Sequence, residues 1–249
     1  MSLLVTGATL ADGRVRDVRV EGETIAAVEE SLEPRADERV MNATGKMLFP
    51  GAIDPHVHFR EPGFSHKETW ETGSQSAAAG GVTVVADQPN TTPPTTTGAA
   101  FDEKEALAAA SVVDFGISGG VTADWDPDSL FDRPLFALGE VFLADSTGDM
   151  GIEVDLFADA VARAAEADVT VTVHAEDATL FDESARERDA GGTGEAADAD
   201  VWSQYRAAAA EEAAVERAVE VGAESDADVH IAHTSTPEGV DAAEAGGAT

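Results

Sequence analysis

Four of the six histidines in this chain sit where they could act on one substrate. His56 and His58 are separated by one residue at the end of an apolar run, residues 47–53. In extended geometry both imidazoles point the same way, and such a pair can share one metal ion or hold two neighbouring ions. His174 follows the apolar run 169–173, and His233 follows 229–232. If these runs are parallel strands, their C-terminal ends open on one face, and all four histidines converge there without being adjacent in sequence. His230 lies out of step with His233, and His66 falls at a helix start, so both read as ordinary structural or surface residues. With no cysteine in the chain, any metal falls to histidine and carboxylate.

The elements that must position these residues are legible as a pattern. Residues 3–42 carry short β-type runs at 3–6, 15–20 and 24–28, broken by Gly7, Gly13 and Gly22, with an acidic, proline-containing link at 33–37. This predicts a small β-sheet appendage over residues 1–48. From residue 49 apolar runs alternate with alanine-rich segments. Strands are expected at 47–53, 82–87, 112–118, 135–142, 169–174 and 229–234. Helices are expected near 67–79, 101–110, 153–167, 176–188 and 207–223. Phe157, Val161 and Ala164 share one helical face. Strand followed by helix, repeated, predicts an α/β fold with a parallel sheet or a (β/α) barrel over residues 49–249. Six such units fit between residues 49 and 249, whereas a closed eightfold barrel takes about 250 residues. The expectation is therefore an incomplete TIM barrel lacking its last two units. The acidic Gly/Ala-rich stretch 189–200 is read as an exposed loop.

Composition narrows the function classes. The 249 residues are 43% hydrophobic and 26% charged, sufficient for a sizeable core. Asp and Glu number 49 against 15 Lys and Arg, a formal net charge of −34 spread along the chain. That charge repels nucleic acid and anionic membranes, and its self-repulsion is screened over about 3 Å at molar salt, which points to a salt-loving host. No signal-like segment and no run of 18 uncharged apolar residues is present, so a cytoplasmic protein acting on a small molecule is expected.

Several motifs resemble those of dihydroorotases, members of the amidohydrolase superfamily of metallo-dependent hydrolases. They are FPGAIDPHVHFREPG at 49–63, DQPNTTPPT at 87–95, VHAED at 173–177 and HIAHTSTPEG at 230–239. The segment Lys67-Glu68-Thr69 and AAAGGVT at 77–83 fit as well, so the resemblance covers essentially the whole chain. It implies a metallo-dependent-hydrolase (β/α)8 barrel with a small N-terminal β-sandwich. It implies two zinc ions, His56 and His58 on one, His174 and His233 on the other, and a hydroxide between them as nucleophile. The implied reaction interconverts dihydroorotate and N-carbamoyl-L-aspartate, a step of pyrimidine synthesis. Arg60 and Asn90 match positions that hold the substrate carboxylate. A guanidinium offers a planar fork to that group, and Arg60 continues the alternation of His56 and His58. The resemblance leaves oligomeric state open, with a homodimer the form it suggests.

The chain departs from the family pattern twice. Many relatives bridge the metals with a carboxylated lysine, and in LGEVFLADSTG at 138–148 the matching position is Glu140, which already carries the anionic oxygens. Asp145 is the competing residue. The family's catalytic aspartate lies on the last barrel strand, which this chain does not include, so no catalytic residue is assigned within it. An allantoinase or hydantoinase is the nearest rival, and Arg60 argues against it, because a substrate without a carboxylate gives no reason for a guanidinium. A non-catalytic scaffold is the alternative of a different class.

Overall fold

A computed structural model describes residues 2–144, 150–185 and 200–249. It resolves into two compact units, Met1–Ala52 and Ile53–Thr249.

The first unit is one five-stranded sheet. Strand β1 (Ser2–Leu10) pairs antiparallel with β2 (Val15–Glu21), which pairs antiparallel with β3 (Thr24–Glu29). Strands β4 (Arg39–Asn42) and β5 (Met47–Leu48) lie parallel to β1. β4 was not expected, because its residues show no apolar alternation, and all four are exposed. The alternation in β1 and β2 instead buries Val5, Ala8 and Val18 in a small cluster with Ala43. Gly7 takes φ +68°, and a Cβ there would lie 2.7 Å from Thr44 Oγ1, so glycine suits the bend in β1. Arg19 reaches the Glu38 carboxylate with two donors, at 2.7 and 3.0 Å. The described residues form no second layer of a sandwich.

The second unit contains six parallel strands in sequence order. They are β6 (Ala52–Val57), β7 (Val82–Asp87), β8 (Asp114–Ile117), β9 (Leu138–Phe142), β10 (Val171–His174) and β11 (Val229–Ile231). β6, β7 and β8 form one sheet and β9, β10 and β11 another. A parallel bridge from Gly119 to Leu138 links the end of the β8 segment to β9. Thr249 pairs with the far edge: its N–H donates to Val229 O, and its carbonyl accepts from Ile231 N.

The connections are α1 (Trp70–Ala79), α2 (Gly98–Ala108), α3 (Pro127–Phe131), α4 (Val154–Glu166), a 3-10 turn (Ala178–Leu180), α5 (Asp200–Tyr205), α6 (Ala208–Ser225) and, after β11, α7 (Pro237–Gly246). Thr69, Thr97 and Thr236 cap α1, α2 and α7 by accepting backbone N–H groups. Phe157, Ala160, Val161 and Ala164 form the buried face of α4, as their spacing predicts. They pack in one core with Val141, Val171 and Val173 of the strands and Ala214, Val215 and Ala218 of α6. Burial of a side chain such as Phe157 contributes roughly 1.5–3 kcal/mol. β9 is buried at all five positions, as a strand covered on both faces must be.

Three expectations need correction. The run 47–53 is not one strand: β5 ends at Leu48, Phe49-Pro50-Gly51 interrupts, and β6 begins at Ala52. Proline lacks the donor that a continuous ladder needs. Within 176–188 the chain does not begin as a helix: a 3-10 turn comes first, because Asp177 turns its side chain onto Thr179 N at 2.9 Å and competes with helix formation; α-helix is present at 183–185, and residues 186–188 lie outside the described residues. Of the expected loop 189–200, residues 189–199 lie outside the described residues as well, and Asp200 already begins α5.

Candidate metal centre

The C-terminal ends of β6, β9, β10 and the β11 segment bring five predicted ligands together. His56 lies within β6, and its N–H donates to Asp54 Oδ1 at 3.1 Å. His58 follows the strand, with its ring centroid 5.1 Å from that of His56. The backbone just beyond is pinned by Phe59 N donating to Asp87 Oδ1 at 2.7 Å, with the Phe59 ring edge-on to Trp70. The other Asp87 oxygen accepts from Lys104 Nζ at 2.7 Å, and both side chains of this ion pair are fully buried.

Glu140 occupies the centre with 2% exposure. Its Oε1 lies 2.7 Å from His174 Nδ1 and 2.5 Å from His233 Nε2. Its Oε2 faces the other pair, 3.5 Å from His56 Nε2 and 3.9 Å from His58 Nε2. The carboxylate thus stands between the two histidine pairs with one oxygen toward each. His56, Glu140 and His233 offer donor atoms all within 4.8 Å of one another. His56 Nε2 is buried without a hydrogen-bond partner. A buried imidazole nitrogen left unpaired is costly in a purely protein environment, and it fits a cation held among these donors.

Each pair is oriented from behind. His58 Nδ1 donates to Asn90 Oδ1 at 2.8 Å, which leaves Nε2 as the lone-pair nitrogen facing Glu140. His174 Nε2 lies 2.7 Å from Glu176 Oε2, and that oxygen also accepts from Arg206 at 2.8 Å. His233 takes φ +39°, and the turn after it is held by Glu211 of α6, whose carboxylate accepts from Ser235 N and Thr236 N.

The ionisation states follow from these contacts. Burial alone would raise the Glu140 pKa, but the close contacts with His174 and His233, and the nearby His56 imidazole, outweigh it and hold the group far below the usual carboxylate range. Burial pushes the His174 imidazole toward neutrality, yet Glu140 and Glu176 reverse the balance and carry its pKa up to about 9. Burial lowers His58, opposed by Asn90 and assisted by the positive charge of Arg60.

Arg60 needs one correction. The strand alternation that was expected to aim it ends at Val57, and Arg60 itself takes φ +64°. It nevertheless lies close enough for its charge to act on His58 and Lys104. Asn90 is 5% exposed, and its side-chain oxygen is engaged with His58. Asp145 lies outside the described residues. His230 bonds Thr249 Oγ1 at 3.1 Å, and His66 is exposed beside Phe64. A cavity of about 480 Å³, lined in part by His174, Glu176, Arg206, His233 and Trp202, opens beside the centre.

The sequence reading missed Glu176, Gln88 and the Asp87–Lys104 pair. Glu176 carries a local signal, two residues beyond a candidate ligand. Gln88 and Lys104 carry none.

Comparison with known proteins identifies the family of the chain. The profile of the family described as Dihydro-orotase-like matches residues 45–238. A protein named dihydroorotase from Halobacterium salinarum is 64% identical, over 99% of this chain and 56% of that protein. A dihydroorotase from Methanosarcina acetivorans is 38% identical over 91% of this chain and 48% of its own length. An allantoinase from Rubrobacter xylanophilus is 36% identical over 96% and 53%. The fold is similar to that of the L-hydantoinase (dihydropyrimidinase) from Arthrobacter aurescens, with TM-score 0.86 and 26% identity over 98% of this chain and 55% of that one. The chain spans about half the length of the curated relatives it matches. The motif resemblance, the strand-end histidines and the matched profile agree: this chain belongs to the Dihydro-orotase-like family.

Proposed function

We propose that the protein is a dihydroorotase, catalysing reversible hydrolysis of (S)-dihydroorotate to N-carbamoyl-L-aspartate in de novo pyrimidine synthesis. The observation that carries this reading is Glu140, buried with one oxygen toward His56 and His58 and the other toward His174 and His233. Such a carboxylate suits two cations, zinc by preference for the imidazole set. His56 and His58 would hold one ion, His174 and His233 the other, and Glu140 would bridge them. When bound, the ions polarise the ring amide and lower the pKa of water.

The chain's own residues do the rest. Arg60 holds the carboxylate of the substrate. Asn90 keeps the His58 proton on Nδ1, and Glu176 keeps a His174 proton on Nε2, which leaves Nδ1 facing Glu140. Asn90 is also the second candidate for the substrate carboxylate, through its amide nitrogen. Proton transfer to the leaving nitrogen belongs, by family resemblance, to an aspartate, and none is assigned to that role among the described residues.

The same reading makes the six parallel strands of residues 49–249 an incomplete part of a (β/α)8 barrel, with residues 1–48 contributing one layer of a β-sandwich. It carries with it a cytoplasmic location and a homodimer. Among the described residues no helix is long and apolar enough to cross a membrane.

An allantoinase-type or hydantoinase-type activity is the second reading, favoured by the fold of the Arthrobacter protein. The test is elemental analysis in multimolar salt and an assay of dihydroorotate ring opening, on this chain and on one extended to the length of its relatives. Two zinc ions and turnover in the extended protein support the proposal. Metal without dihydroorotate turnover moves the hydantoinase reading, or a non-catalytic scaffold, to the front.

A further inference from the structure

Strand β9 contains an irregularity at the residue that matters most. Against β10, Val171 pairs with Leu138 but Val173 pairs with Val141, so Gly139 and Glu140 together stand opposite Thr172. This is a β-bulge, which re-aims a side chain and takes backbone groups out of the ladder. Gly139 suits it: φ is +137°, and a Cβ would lie 2.1 Å from Thr172 O. The Glu140 N–H, released from the regular ladder and buried, needs another acceptor.

Gln88 supplies it. Its Oε1 accepts from Glu140 N at 2.8 Å. Its Nε2 donates to Pro55 O at 3.2 Å, and its own backbone N–H donates to Val57 O at 2.9 Å. Pro55 and Val57 flank His56, and Val57 precedes His58. The remaining polar group, Gln88 O, accepts from the buried ammonium of Lys104 at 2.7 Å. Gln88 is 1% exposed, so these bonds do not compete with solvent. One side chain thereby ties the β6 segment bearing His56 and His58 to the bulge bearing Glu140, although β7 and β8 separate those strands.

We infer that Gln88 is a positioning residue that sets the spacing between the β6 histidines and the Glu140 carboxylate, and thereby the zinc affinity of the centre. The inference rests on the proposed metal site. Neither methionine nor leucine could do the same, because only a carboxamide offers an acceptor and a donor at the end of one side chain. Loss of groups that orient metal ligands lowers metal affinity about 10- to 100-fold.

The experiment measures zinc(II) binding by chelator competition in multimolar salt, on the parent protein, Gln88→Met, Gln88→Glu and Ser74→Ala. Ser74 is another buried polar residue, accepting from Val112 N at 3.0 Å on the outer side of the unit, and its loss reports general destabilisation. Thermal melts of the metal-free proteins run alongside. The expected result is affinity lowered about 10- to 100-fold in Gln88→Met and unchanged in Ser74→Ala, even where the two melt alike. Gln88→Glu keeps the acceptor for Glu140 N–H and loses the donor to Pro55 O, so it should fall between parent and Gln88→Met. It carries the test if Gln88→Met does not fold. Parental affinity in either Gln88 variant, or an equal loss in Ser74→Ala, overturns the inference while leaving the metal site standing. A parent protein that binds no zinc overturns the metal site itself.

Discussion

Glu140 and His174 stand 2.7 Å apart, carboxylate Oε1 against imidazole Nδ1, on neighbouring parallel strands and almost wholly shielded from water. The contact joins a group with a strongly lowered pKa to one with a raised pKa. In the metal-free protein it is an ion pair, and on metal binding the imidazole must give up its proton.

The first prediction concerns that carboxylate. Glu140→Gln keeps the shape and removes one of the two anionic oxygens. Zinc affinity should fall by more than about 100-fold, beyond the loss expected for a group that only orients a ligand. Glu176→Gln, which touches His174 from the other side, should cost about 10- to 100-fold. Chelator competition on the two variants checks the ordering, and an equal or reversed loss contradicts the bridging assignment.

The second concerns pH. The folded pKa of His174 is raised, from an ordinary value near 6.5 to about 9. Its contribution to stability is therefore fully present below about pH 6.5 and is lost as pH rises through 9. A shift of this size corresponds to on the order of 3 kcal/mol. Thermal melts of the metal-free protein at constant high salt should fall between pH 6.5 and 9, and His174→Gln should flatten that slope. Zinc added near pH 7.5 should release protons, read with an indicator dye.

A third prediction concerns the buried pair behind Phe59. Lys104→Met leaves the Asp87 carboxylate buried without its cation, at a cost of about 3–5 kcal/mol. The loss should appear as a lower denaturant midpoint with little change in slope. A change under 1 kcal/mol would show that water reaches Asp87.

Arg60 separates the two substrate classes. Removing a charge-assisted hydrogen bond costs about 1.5–3 kcal/mol, so in the extended, active protein Arg60→Met should lower kcat/KM for dihydroorotate roughly 10- to 150-fold by that estimate. Activity on an uncharged cyclic amide such as hydantoin, where present, should be unaffected. Equal losses on both substrates would argue against a carboxylate site at Arg60.

The amino-acid sequence by itself determined the α/β alternation of the second unit, the buried face of α4, and the identity of the five candidate ligands. These are readable because apolar periodicity and strand-end histidines are local features. Glu140 was readable only as one of two candidates in the segment 138–148, with Asp145 the other. What the sequence left undecided was set by contacts between residues far apart in the chain. The run 47–53 reads as one strand until β5 pairs with β1 and β6 with β7. Arg60 reads as a continuation of the strand until Phe59 N is captured by Asp87, 28 residues away. Gln88 has no assigned role in the sequence, and acquires one only where the bulge in β9 presents an unpaired N–H, 52 residues away. Local pattern selects which side chains could serve; only the register between strands decides which nitrogen meets which oxygen, because a hydrogen bond fails over a fraction of an ångström and a few tens of degrees.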